Sequence, residues 1–436
     1  MIALDFLPRL SELDVSDAAE GGIDPLGLYP IAESLGVRLV PGVRERQSHP
    51  RFLTSMAVSF AICGDLDDEA SFVESIPAWQ VFEWYCVEGL VRKSEAKEIV
   101  GLPGRDKAAR AIEEGVPLSP RRYLKSPAIF GFHGVYRPLA RDLGIERDGR
   151  LGEVGYELLS VWTKEQGLAG FIGTTEGPGA SLQRNLRSAV KEGLAQNATA
   201  RTATWVGWEF FSRHLGIYVV GNKEAEVLTS MLRHDGKGHR GPVLDFLVAA
   251  SGRQAWESKW DERTFHGALR QSCDSALGSL LDAISAYESF SRLCQDAFDD
   301  CLLELTRRSG KTLPSSLAGL DSVKLASRQI PDLFSELVER LEPFGESIRF
   351  SVTFQSLAEK TSAKEWVERL AEYHRANQKR KLPDGKNPWF ERFDDGSLII
   401  RPLYRRQEGG RHNNSYVHAY RTGALWNFAA DLKLIK

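Results

Sequence analysis

Long hydrophobic runs are missing from this 436-residue chain. No stretch approaches the roughly 18 uncharged apolar residues of a membrane span, so no membrane partner is expected. The apolar start, MIALDFLPRLSELDVSD, is interrupted by Asp5 and Arg9 and lacks a basic leader, which predicts a cytoplasmic product. Cysteine is scarce: Cys63, Cys86, Cys273, Cys294 and Cys301 never form CxxC. Their odd number and wide spacing exclude a disulfide framework or a cysteine-rich zinc site and predict small core residues. HExxH and GxSxG are absent, and the Gly-rich segment GFIGTTEGPGASLQRNL lacks a GK[ST] end, so no metal, nucleotide or cofactor is expected. The nearest carboxylate–lysine triplets, Glu95-Ala-Lys97 and Asp384-Gly-Lys386, fall in a helix and a turn, whereas a restriction-type nuclease core places such a triplet on a strand.

What is present is ordinary in bulk and uneven in detail. With 42% hydrophobic and 26% charged residues the chain is globular, and its length predicts two to four domains. The formal net charge is −3, but the stretch from His374 to Lys436 holds 13 Lys and Arg against 6 acids, a local +7 that leaves −10 elsewhere. Residues 115–141, GVPLSPRRYLKSPAIFGFHGVYRPLAR, carry Arg121, Arg122, Lys125, Arg137 and Arg141 with no acid. A smaller cluster, PGVRERQSHPRF, adds Arg44, Arg46, His49 and Arg51. Basic patches on a nearly neutral protein point to a polyanion or an acidic partner.

The periodicity predicts a mainly α, multi-domain protein: a helical domain over 1–100, a basic domain over 101–200, a helical scaffold over 201–345 and a basic α+β region over 346–436. In the scaffold, Leu280, Ile284, Tyr287, Cys294, Phe298, Cys301 and Leu305 step by threes and fours, which predicts one long helix near 279–309. Its apolar seam should pack in a bundle core, with a homodimer seam as the alternative. In the C-terminal region FERFDDGSLIIRPLYRR predicts a small antiparallel β unit closed by a last helix.

Within the basic domain, GLPGRDKAARAIEEG reads as a short helix, HGVYRPLARDLGI as a second, Asp148-Gly149 as a tight turn and EVGYELLSVWTKEQ as a third helix. Pro138 predicts that the second helix starts at about Arg137. This order resembles a winged helix-turn-helix domain with a very short wing, IERDGRL. The resemblance implies a helix in the DNA major groove bearing His133, Tyr136, Arg137 and Arg141, with Arg121, Arg122 and Lys125 at its approach. Winged helices also serve as protein-binding modules. Further on, Ser181 should cap a helix whose Arg184, Arg187 and Lys191 share one face that could follow a nucleic-acid backbone.

The best catalytic constellation is C-terminal. His374, Gln378 and Lys381 share one helix face, and His412 and His418 flank the following strand, so this cluster could move protons or hold phosphate. Arg401, Arg405, Arg406 and Arg411 would rim that groove and join Lys381 and His374 in binding nucleic acid.

The segments LVPGVRERQSHPRFLT, RYLKSPAIFGFHGVYRPLARDLGI and YHRANQKRKLPDGKNPWFE resemble uncharacterised bacterial proteins of antiviral defence islands. The resemblance implies a subunit of an anti-phage complex beside helicases, nucleases or methyltransferases, and it assigns no catalytic residue. Three functions compete. The first is a partner-binding subunit that engages double-stranded DNA weakly and without its own catalysis; the others are a cryptic metal-dependent nuclease and a protein-only scaffold.

Overall fold

Apolar residues recur every three or four positions along most of the chain, and in the computed structural model about 65% of it is helical. The structure describes residues 24–66, 76–93, 100–173, 176–234, 238–381, 385–407 and 415–435. It begins with α1 (Tyr29–Leu39), α2 (Arg51–Cys63), α3 (Ala78–Lys93), α4 (Arg105–Glu113), α5 (Pro127–Phe130) and α6 (Phe132–Asp142). A hairpin of β1 (Glu146–Arg147) and β2 (Arg150–Leu151) leads to α7 (Glu153–Glu165), α8 (Pro178–Gln196), α9 (Trp208–Leu215) and α10 (Asn222–Arg233). Then come α11 (Arg240–Val248), α12 (Ala250–Glu257), α13 (Glu262–Arg270) and α14 (Ser275–Arg307). After β3 (Lys311–Thr312), α15 (Pro314–Leu317), α16 (Asp321–Leu341), α17 (Ser347–Ala358) and α18 (Ala363–Lys379), the strands β4 (Phe390–Arg392) and β5 (Leu398–Ile400) precede α19 (Thr422–Asp431). The protein is therefore mainly α with a small strand unit, as the periodicity predicts. Among the described residues no helix is long and apolar enough to cross a membrane.

Two discontinuous units replace the four consecutive domains expected from the sequence. One comprises residues 1–35 and 278–418, the other 36–277 and 419–436. Long-range polar contacts explain the difference. In the first unit the Tyr287 hydroxyl donates to the Leu28 carbonyl and the Tyr373 hydroxyl to the Leu26 carbonyl, both at 2.6 Å, which ties the early segment to α14 and α18. In the second, the Glu262 carboxylate accepts the backbone N–H groups of Tyr420 and Thr422, which holds α19 beside α13.

The first unit is built on α14. All seven residues of its predicted seam are at most 1% exposed, so the seam is core. Phe290 meets Phe350 and Phe354 of α17 at 5.0 and 5.2 Å between ring centroids, and Phe298 lies 4.8 Å from His374 of α18. The sheet is antiparallel in the order β3-β5-β4. Its third strand comes from Lys311–Thr312, which alternation over two residues could not reveal. The helix predicted to close this sheet, α19, belongs to the other unit.

In the second unit α2 and α3 form the centre, and twelve of the thirteen α2 residues are buried. The largest charge buried with them is paired. Arg51 and Glu224, both fully buried, form an ion pair, and Arg51 also donates to the His214 carbonyl. The β1–β2 turn has Asp148 at φ 53° and Gly149 at φ 78°, the left-handed pair that a two-residue hairpin turn requires, so IERDGRL is a hairpin of minimal length. Cys63, Cys86, Cys294 and Cys301 are buried, and Cys273 is partly exposed.

Candidate nucleic-acid interface

The second unit brings together two basic clusters that lie about 75 residues apart in sequence. The loop before α2 is held from beneath by Gln47, whose buried amide donates to the Val135 carbonyl at 2.9 Å and to the Gly42 carbonyl at 3.2 Å. The backbone N–H groups of Ser48 and His49 donate to the Tyr136 hydroxyl at 2.9 and 3.1 Å. This anchoring leaves Arg44 and Arg46 exposed, with the Arg46 guanidinium 4.8 Å above the ring of Phe130 at the end of α5. The loop preceding α5 carries Arg121, Arg122 and Lys125, all exposed. Its anchor is Tyr123, which is 4% exposed and donates its hydroxyl to Glu83 at 2.7 Å.

Glu83 ties the 121–125 loop to the start of α6. Its other oxygen accepts the His133 N–H at 2.7 Å, so the carboxylate sits at the N-terminus of α6. A Cβ at Gly131 would come within 2.3 Å of it, which requires glycine there. Burial pushes the Glu83 carboxyl up to about 7, against the lowering effect of Tyr123 and the α6 amides. This cap fixes the start of α6 at Phe132, not at Arg137, and Pro138 lies inside the helix.

The structure revises several residue assignments. His133 and Tyr136, expected on the DNA-facing side of α6, are on its buried side, 4% and 0% exposed. The His133 ring stacks on Trp79 at 4.3 Å, and burial pushes it down to about 3. Arg137 and Arg141 share the buried carboxylate of Glu146, at 3.3 and 2.9 Å. Burial acts to raise the Glu146 carboxyl, but the hydrogen bonds from Arg141, Gly149 and Arg137 outweigh it and hold it below the ordinary range. These arginines therefore fasten α6 to the hairpin and are not open charges. Replacing both with alanine should lower the melting temperature by several degrees, with milder single replacements because either arginine can serve Glu146 alone. Thermal melts of the three variants check this; an unchanged double variant would return both side chains to the open surface.

On α8 the helix begins at Pro178 after Gly177, so Ser181 lies in the first turn and does not cap it. Arg187 is committed to Asp65, at 2.5 and 2.9 Å, and to the Ile62 carbonyl at 3.2 Å. Arg184 donates to Ser181 at 3.1 Å, and it and Lys191 are exposed.

In the first unit the C-terminal constellation is structural. His374 is fully buried: Nδ1 lies 2.9 Å from the Pro25 carbonyl and Nε2 accepts the Trp389 N–H at 2.9 Å. This fixes the neutral tautomer with its proton on Nδ1, and burial pushes the ring down to about 4. Gln378 also donates to Pro25, and Lys381 donates to the Asp24 carbonyl at 2.8 Å, so the face expected to line a groove clamps residues 24–25 instead. His418 pairs with Glu288, which is 2% exposed, at 2.7 Å. Arg401 pairs with Glu391 and Arg406 with Asp299, while Arg405 is exposed. Both ring nitrogens of His374 and Nδ1 of His418 are thus engaged by protein groups. Arg411, His412, Glu95, Lys97 and Asp384 lie outside the described residues.

Among the described residues there is no group of three or more His, Cys, Asp or Glu side chains placed to hold a metal ion. In the sequence Arg44 and Arg46 form one cluster and Arg121, Arg122 and Lys125 another, with nothing local to join them. The link is Phe130, whose partner across 84 residues no local pattern reveals. Comparison with protein-family models, with curated proteins and with solved structures gives no match.

Proposed function

We propose that the protein engages nucleic acid through the loops at 44–46 and 121–125, as a partner-binding subunit of a prokaryotic anti-phage defence complex. One observation carries the nucleic-acid reading. Arg44, Arg46, Arg121, Arg122 and Lys125 are exposed and have no acidic partner among the described residues, beside the exposed side chains of Ile129 and Phe130. Elsewhere most arginines are neutralised by a neighbouring carboxylate; here they are left for a partner, and a phosphate backbone supplies the missing anions. The defence setting rests on the resemblance of three sequence segments. Point charges on loops give electrostatic binding with little sequence preference, so double-stranded DNA is the expected ligand, at micromolar or weaker affinity in physiological salt.

The test is fluorescence anisotropy of a labelled duplex titrated with protein over a range of salt. Each phosphate contact contributes about 0.9 to the slope of log affinity against log salt. The triple variant Arg121→Ala/Arg122→Ala/Lys125→Ala should therefore flatten that slope by about 3 and weaken all duplex sequences alike, at an unchanged melting temperature. If the native protein binds no duplex at low salt, or the triple variant binds as the native does, the reading is lost to a protein-only scaffold.

A further inference from the structure

Trp260 combines two features that packing does not explain. It ends the turn after α12 with φ at 53°, in the left-handed region that favours glycine, and its N–H donates to the Trp256 carbonyl at 2.7 Å. It is also 60% exposed. A tryptophan retained only to fill space would be buried, and a turn retained only for its geometry would use glycine. The ring is held nonetheless: its plane lies at 88° to that of Trp426 of α19, 5.4 Å away between centroids, and at 74° to that of Trp256, 6.1 Å away. The Trp256 indole nitrogen, buried in this cluster, has no hydrogen-bond partner among the described residues. Exposed cations, Lys259 and Arg263, flank Trp260 in the chain.

We propose that Trp260 is a stacking platform for an unpaired nucleobase, with Lys259 and Arg263 meeting the adjoining phosphates. This rests on the nucleic-acid reading above and adds a single-stranded ligand to it. A held indole that is more than half exposed offers a stacking surface to any base, and a cation on either side suits the backbone that carries it. A neutral sugar would also stack on indole, but it has no use for the two cations.

The experiment titrates the full-length protein into a short fluorescein-labelled oligothymidylate at low salt, beside the duplex assay. Trp260→Gly should weaken oligothymidylate binding by about five- to 150-fold, the span reported by removal of one stacked base, and Trp260→Phe should fall between. The melting temperature of Trp260→Gly should be unchanged or higher, because glycine suits this backbone better. Full oligothymidylate affinity in Trp260→Gly overturns the platform, and if the basic-loop variant is weakened in the same series the duplex reading stands. A melting temperature well below the native one also overturns it, since the ring would then be packing. Absence of binding to either form by the native protein removes both proposals.

Discussion

Replacing Glu224 with alanine should lower the stability of the second unit by about 3–5 kcal/mol, the usual loss when one member of a buried ion pair is removed. The reason is what remains. Arg51 is fully buried and donates to Glu224 and to the His214 carbonyl, so removal of the carboxylate leaves a buried guanidinium without its ion-pair partner, opposed only by the charge of Glu165. Burial already pushes the Arg51 guanidinium down to about 9 with its partner in place. Arg51→Met should be costly for the converse reason, since Glu224 would keep only the Thr54 hydroxyl and its own helix. The double variant Arg51→Met/Glu224→Leu should lose far less than the two single losses together. Denaturant titration of the four proteins gives the coupling directly, and additive losses would show that the charges do not depend on each other.

The second large effect is in the response to pH, which should differ between the units. His133 and His266 in the second unit are held neutral by burial, each pushed down to about 3, and His374 in the first unit to about 4. A histidine with a depressed folded value contributes stability that is complete above the ordinary 6.5 and is lost as pH falls toward the folded value. Glu83 and Glu262, both in the second unit, are raised by burial to about 7. A carboxyl with a raised folded value does the reverse: its contribution is complete below 4.5 and is lost as pH rises to about 7. In the second unit the two histidines and two carboxyls cancel between pH 4.5 and 6.5. These groups give it a plateau, with a fall of two protons on the acid side and a smaller fall just above 6.5. In the first unit His374 alone gives a slope of one proton between pH 4 and 6.5 and none above. At about 1.4 kcal/mol per proton per pH unit, taking the second unit from pH 5 to 3.5 should cost about 3 kcal/mol. Melting curves between pH 3 and 8 should resolve this. His133→Phe, which keeps the stack on Trp79, should halve the acid slope of the second unit; a midpoint indifferent to pH between 5 and 3.5 would show that these rings are not held neutral.

How far these features were legible in the sequence depended on their range. The long α14 helix and the burial of its seam follow from seven apolar residues at helical spacing, and the hairpin at Asp148-Gly149 from a two-residue turn signal. Side-chain roles on α6 were not legible, because His133 and Arg137 are consecutive turns of one helix and only the tertiary positions of Trp79 and Glu146 decide which is buried and which is paired. His374 misled for a related reason. A histidine among Lys and Arg reads as exposed, yet its partners, Pro25 and Trp389, are respectively 349 and 15 residues away. Glu83, the residue that ties the 121–125 loop to α6, lies in a helix that is apolar on most sides and carries no local mark of its role.

The return of the chain to the second unit sets the order of events during translation. Residues 36–277 emerge from the ribosome long before residues 419–436, with the first unit's sequence synthesised in between. Until α19 appears, Glu262 lacks the Tyr420 and Thr422 amides that it accepts, and the Trp256–Trp260 pair lacks Trp426. At about 5–20 residues per second the interval is on the order of 10–30 s. The nascent second unit must pass that interval with an apolar strip of its surface uncovered, at the stage when a chaperone or a sister polypeptide on the same message is closest to hand.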